Sequence, residues 1–292
     1  MKTYSKGKLK LKRAMMALVF LFVALLIAGL VLLFAFCLKD NIEICEEKND
    51  AVNVSDDVAA NSQPIIIDNL VVGATYNSRW VSANKYYLKS NFKSDVELSV
   101  YNKDTRAGVY KIKELYTSDD SVFVNTTYPN YIDEYFALPS LDNYALISQF
   151  KEAQYEEKDT KYVKDALGIY KVYNNTMSIK RVYNGYINID TPVRLITVNS
   201  TNKGAFGGIY NAVIIAYPND NKAQLVQYNY TKDFENADDY PLSSVEFLAD
   251  FNGDGNSELI LREVTEFNVT YNIFEYQDGK YFKVLSETMK GK

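Results

Sequence analysis

The chain has 292 residues, 47% of them hydrophobic and 14% aromatic, with 32 Lys+Arg against 37 Asp+Glu for a net charge of −5, and it contains no histidine. That one absence removes Ser-His-Asp and Cys-His nucleophile systems, histidine-ligated zinc and histidine general bases. The two cysteines, Cys37 and Cys45, both lie early in the chain, so disulfides do not hold the remainder together.

Residues 1–13 carry Lys2, Lys6, Lys8, Lys10, Lys12 and Arg13 and no acidic residue. Ala14 to Cys37 is then an uncharged run of 24 residues. At ~1.5 Å per residue it makes ~36 Å of helix, enough to cross a ~30 Å hydrocarbon layer with some tilt. A cleaved signal peptide would have a shorter apolar core and small residues at the cut site. Here the run is long and closes on Phe34-Ala35-Phe36-Cys37. The pattern therefore predicts an uncleaved, single-pass signal-anchor in a lipid bilayer over residues 14–37. The basic head, residues 1–13, is expected on the cytoplasmic side and the rest outside the cell. Without the six basic residues of the head, 26 Lys+Arg face 37 Asp+Glu, a charge of about −11 for residues 14–292. An exterior of that sign argues against nucleic acid as a partner.

Residues 38–62 are polar and acidic (Glu43, Glu46, Glu47, Asp50, Asp56, Asp57), lack hydrophobic periodicity and read as a flexible stalk. Residues 63–150 hold short β-patterned runs such as Pro64-Ile65-Ile66-Ile67 and Val96-Glu97-Leu98-Ser99-Val100-Tyr101, separated by turn residues. They predict a small antiparallel barrel or sandwich with Trp80, the single tryptophan, in its core. Residues 151–168 are rich in Lys, Glu and Ala and predict a helical connector. Phe150, Tyr162, Val163 and Ala166 are its expected buried points and Gly168 its stop. Residues 169–292 return to β patterning.

Within that last segment the same unit occurs twice. Setting Tyr186–Val198 beside Asp250–Arg262 without a gap places Asn188 on Asn252, Asp190 on Asp254, Leu195 on Leu259 and Ile196 on Ile260. Each stretch is followed by an apolar hairpin, and the second hairpin turns at Asp278-Gly279. The elements together predict a mainly β fold with a short helical connector and one N-terminal transmembrane helix. They also predict a C-terminal two-copy strand-loop-strand-hairpin unit.

The second copy carries Asp250-Phe251-Asn252-Gly253-Asp254-Gly255-Asn256-Ser257-Glu258. Oxygen-bearing side chains at positions 1, 3, 5 and 9 suit a hard cation, which takes six to eight oxygens at ~2.3–2.6 Å. An EF-hand would need Glu at position 12 and helices on both sides. Position 12 is Leu261, and both flanks have strand character. The loop resembles the strand-loop-strand calcium sites of integrin-type FG-GAP and VCBS-like repeats, closely over residues 245–263. The resemblance implies a structural Ca²⁺ held by the side chains of Asp250, Asn252, Asp254 and Glu258 and the backbone carbonyl of Asn256. In the first copy Tyr186 and Arg194 replace the two end carboxylates, and Arg194 is expected to stand in for the cation by pairing with Asp190.

Two Ser-x-x-Lys matches, Ser82–Lys85 and Ser90–Lys93, fall in stretches read as strand or loop, without the companion elements of penicillin-recognising enzymes. The carboxylate pairs Asp119-Asp120, Glu156-Glu157 and Asp238-Asp239 read as solvated. The expected function is a membrane-anchored extracellular protein, non-enzymatic, that binds a cell-surface glycan or protein or serves structurally. The alternative is a cell-wall or glycan-acting enzyme using a carboxylate pair.

Overall fold

Two-residue turns organise much of the chain. Asp68-Asn69, Asn77-Ser78, Asp119-Asp120 and Asp278-Gly279 all take positive φ, the geometry that lets a tight hairpin follow the right-handed strand twist. The computed structural model describes residues 54–90, 96–102, 105–126, 135–138, 150–168, 177–202, 208–231 and 240–290. The expected basic head, the membrane anchor at 14–37, both cysteines, most of the stalk and the Asp238-Asp239 pair lie outside the described residues. Among those described, no helix is long and apolar enough to cross a membrane. The described residues form a mainly β fold of three antiparallel sheets with three short helices.

Helix α1 (Asp56–Asn61) starts at Ser55, whose hydroxyl accepts the Val58 N–H. Ala59 is fully buried, and Val54 and Val58 pack on the core beneath it. The last residues of the expected stalk are thus part of the folded body, because three small apolar side chains among the acidic ones find a surface to cover.

Seven strands follow: β1 (Gln63–Ile67), β2 (Leu70–Tyr76), β3 (Arg79–Val81), β4 (Val96–Asn102), β5 (Thr105–Ser118), β6 (Ser121–Thr126) and β7 (Tyr135–Leu138). Pairing runs β1-β7-β4-β5-β6-β2 and returns from β2 to β1, which closes an antiparallel barrel with β3 added beside β2. Closure removes the free edges of six strands. Ile66, Val71, Leu98, Val100, Ile112 and Val124 form one core, with Ala59 of α1 and Ala83 and Tyr86 of α2 (Ala83–Lys89) packed onto it. The alternate residues Ile65, Ile67, Leu70 and Val72, together with Trp80 and Tyr101, join a different core on the opposite face.

That second face meets the sheet formed by β13 (Leu242–Ala249), β14 (Glu258–Val264), β15 (Asn268–Gln277) and β16 (Lys280–Lys290), in that order. The other face of this sheet covers a five-stranded sheet of order β12-β11-β10-β9-β8. Its strands are β8 (Lys151–Ala153), β9 (Met177–Tyr186), β10 (Pro192–Asn202), β11 (Gly208–Tyr217) and β12 (Lys222–Thr231). The β13–β16 sheet is therefore the middle layer, which explains the unbroken apolar run in β14. Ile260 joins the barrel-side core and Leu259 and Leu261 join the other; a strand buried on both faces has no polar side to alternate with. Each such side chain contributes ~1.5–3 kcal/mol relative to exposure. The layers come close where side chains are absent: a Cβ on Gly73 would lie 2.5 Å from Leu285 Cδ1, and one on Gly185 2.5 Å from Leu248 Cδ2.

The expected helical connector is part strand. Residues 151–153 form β8 on the edge of the five-stranded sheet, and α3 (Glu157–Leu167) lies across β10, β11 and β12. It buries Asp159, Tyr162, Val163 and Leu167, with Ala166 only half-buried, and it ends at Gly168 with φ 53°. Segments read from sequence as separate domains on either side of this connector thus share one core.

Candidate metal centre

The β13–β14 loop, residues 250–257, folds around its own carboxylates. Asp250 accepts the Gly253 N–H at 2.7 Å through Oδ1 and the Gly255 N–H at 3.0 Å through Oδ2. Asn252 Oδ1 accepts the Asp254 N–H at 2.9 Å, and Asp254 Oδ1 accepts the Asn256 N–H at 2.7 Å. Glu258, the first residue of β14, reaches back so that its Oε2 accepts the N–H groups of Phe251 at 2.6 Å and Asn252 at 3.3 Å. These bonds bend the loop inward, with Gly255 at φ 91°, a conformation that a side chain would strain.

Asp250, Asp254 and Glu258 each bring a carboxylate oxygen within 4.8 Å of the others, and the triad could hold a metal ion. Asp250 is 4% exposed and Glu258 0%, whereas Asp254 lies at the surface. Glu258 Oε1 is buried and makes no hydrogen bond. An acceptor stripped of water and left unpaired is costly, and a cation beside it would remove that cost. Burial is also the first reason that Glu258 titrates well above the ordinary carboxylate range, followed by its neighbours Asp250, Asp254 and Glu275. Asp250 shifts upward for the same leading reason. The donor set is all oxygen, the kind that hard cations take. Asn252 is buried within the loop and Asn256 half-buried.

The surrounding contacts were not legible in the sequence. The loop joins all three layers: Ser78, in the β2–β3 turn, donates to the Asn252 carbonyl at 3.4 Å. The Ser257 N–H donates to the Ile187 carbonyl at 2.6 Å, and Asn188 Nδ2 donates to Asn256 Oδ1 at 3.3 Å. Ile187 and Asn188 belong to the β9–β10 loop, the counterpart of the metal loop in the ungapped pairing. Behind it, the buried Tyr281 hydroxyl donates to the Ser257 carbonyl at 2.8 Å, while the Tyr281 backbone is clamped by Gln224.

In the first meander Arg194 does not pair with Asp190. It is directed to α3, where Nε and Nη2 donate to Asp159 at 2.8 and 2.7 Å. Nη1 donates to Asn184 Oδ1 and pairs with Glu156, both at 2.9 Å, and Nη2 also donates to the Gln154 carbonyl at 3.0 Å. All five guanidinium N–H directions are thereby used. Asp159 is 0% exposed and Arg194 4%, so the arginine is drawn to the one fully buried carboxylate on α3 rather than to an exposed turn residue. The hydrogen bonds that Arg194 donates to Asp159 also raise the Arg194 pKa further.

The weaker motifs resolve into structural roles. Ser82–Lys85 does begin a helix, unlike the expectation from pattern, but Ser82 caps α2 by accepting the Lys85 N–H, and the Lys85 ammonium goes to the Val54 carbonyl. Asp119 and Asp120 form the exposed β5–β6 turn. Glu156 and Glu157 open α3. Trp80 is 4% exposed in the barrel-side core. No family model, curated protein or solved structure matches the chain.

Proposed function

We propose that the protein is a membrane-anchored extracellular binding or structural protein, without enzymatic activity, in which one Ca²⁺ staples the β13–β14 loop. Asp250, Asn252, Asp254 and Glu258 supply side-chain oxygens and Asn256 its backbone carbonyl. The observation that carries the metal is Glu258: a fully buried carboxylate with an unpartnered oxygen, close to two further carboxylates. The ion would neutralise the triad and tie the three layers whose hydrogen bonds converge on the loop. Anchoring rests on the basic head and the apolar run at residues 14–37.

The C-terminal half is read as a duplicated FG-GAP/VCBS-like unit. In support, β9–β12 and β13–β16 are both four-stranded meanders, and their loops at 187–191 and 250–257 correspond. Their last hairpins share a bulge at the same place, between Val213 and Ile214 in one and between Ile273 and Phe274 in the other. For the enzyme alternative, Asp119-Asp120 sit in an exposed turn and Glu156-Glu157 at the start of α3.

Terbium, a calcium surrogate excited through nearby tyrosines, tests the site. With Tyr281 behind the loop, Tb³⁺ is expected to luminesce on excitation of the full-length protein, to be displaced by Ca²⁺, and to be silent with Asp250→Ala. Unchanged luminescence in that variant would sink the assignment.

A further inference from the structure

Apart from the metal loop, a groove of about 390 Å³ opens where the edge strand β13 faces β9, β10 and β11. A volume of that size falls in the lower range of small-molecule sites. Its charge is opposite to that of the chain: Lys180, Arg181 and Arg262 line it against the single carboxylate of Glu246, in a protein of net charge −5. Neither the Lys180 ammonium nor the Arg262 guanidinium has a hydrogen-bond or ion-pair partner among the described residues. Arg262 is half-buried, with Glu246 in the same lining, and its planar fork matches a carboxylate in two-point contact.

The remaining lining is neutral and suited to hydroxyl groups. Asn211, 1% exposed, accepts the Ser243 N–H at 2.7 Å and donates to Asn199 Oδ1 at 2.7 Å. Asn199 is thus held by its oxygen, and among the described residues neither its amide N–H₂ nor the Thr197 hydroxyl has a partner. Tyr183 stacks on Phe150 with centroids 5.1 Å apart at 25°, and its hydroxyl receives Arg181 Nη1 at 3.3 Å, so the ring is fixed. A rigid aromatic beside hydroxyl-seeking groups suits a sugar ring, whose C–H face stacks while its hydroxyls hydrogen-bond. A peptide strand added to β13 fits less well, because Asn211 already occupies the Ser243 N–H and the strand bulges between Val245 and Phe247.

We propose that this groove binds a short acidic saccharide, with its carboxylate on Arg262 and Lys180, its ring on Tyr183 and its hydroxyls on Thr197 and Asn199. This gives a ligand class to the binding role proposed above and does not depend on the calcium loop. Among the described residues one carboxylate, Glu246, lines the groove, whereas glycoside cleavage uses a pair.

Calorimetry on the full-length protein in detergent micelles tests this with four probes: a uronic-acid disaccharide, a neutral disaccharide of equal size, inorganic phosphate and an acidic hexapeptide. The acidic disaccharide is expected to bind, in calcium and in chelator alike, with affinity falling as salt rises. Arg262→Gln and Thr197→Val should each weaken it about tenfold or more while leaving the melting temperature nearly unchanged, since neither side chain has a hydrogen-bond or ion-pair partner among the described residues. Absence of binding, equal affinity for the neutral disaccharide or phosphate, tighter binding of the peptide, or indifference to both variants would each overturn the proposal. A calcium-dependent melting shift that persists without saccharide binding would refute the groove and leave the metal site standing.

Discussion

Replacing Glu258 by Gln isolates the charge that a calcium ion would neutralise. The amide keeps the shape of the carboxylate. Its oxygen can still accept the Phe251 and Asn252 N–H groups, and its nitrogen occupies the position of the unpartnered Oε1. The buried pair Asp250 and Glu258 lies within 4.8 Å, a repulsion of about 3.5 kcal/mol at an effective dielectric of about 20. The native loop therefore gains by binding a cation, and the variant does not suffer by lacking one. If the proposed site holds Ca²⁺ with a Kd of ~10⁻⁴–10⁻³ M, about 10 mM of the ion stabilises the native state by about 1.4–2.7 kcal/mol. For a body of this size that is a rise of about 3–11 °C in melting temperature. The measurement is differential scanning fluorimetry of wild type and Glu258→Gln, each in calcium and in chelator. Wild type is expected to rise by that amount, and the variant to melt at one temperature in both, at or above wild type in chelator because the Asp250–Glu258 repulsion is gone. Equal calcium shifts in the two proteins, or none in wild type, would refute the charge-neutralisation account.

Two further outcomes follow from buried ionisable groups. Asp159→Ala leaves the Arg194 guanidinium inside the protein without its principal partner and should cost about 3–5 kcal/mol in guanidinium denaturation, whereas Asp159→Leu with Arg194→Met should recover much of it; a loss below about 1 kcal/mol in the single variant would contradict the burial of the pair. Glu287 is held by burial at a pKa of about 7 instead of the ordinary 4.5. Because its folded-state pKa is raised, the charged form opposes folding: its favourable contribution is complete below about pH 4.5 and is lost as pH rises through about 7. Glu287→Gln is therefore expected to raise the melting temperature at pH 8 and leave it unchanged at pH 4, and a gain confined to low pH would reverse the assignment.

Local chemistry carried much of this protein into view from its residues alone. The β character, the hairpin at Asp278-Gly279, the stop at Gly168, the burial of Trp80 and the oxygen-rich loop from Asp250 to Glu258 all depend on neighbours a few positions apart. Backbone sterics and side-chain spacing fix such features before any long-range contact forms. The features that were missed depend on partners far along the chain. Arg194 chose Asp159 over Asp190 because α3 packs on β10 and brings a buried carboxylate 35 positions away within reach. The choice between barrel and sandwich, which the sequence left open, is made where β7 returns to β1. The apolar run Leu259-Ile260-Leu261 could mark any buried segment until two other sheets cover its two faces. The metal loop itself divides the same way. Its ligand types and spacing are written in nine consecutive residues, but the dry, unpaired Glu258 oxygen that makes a cation favourable exists only once the barrel, the middle sheet and the β9–β10 loop have excluded water around it.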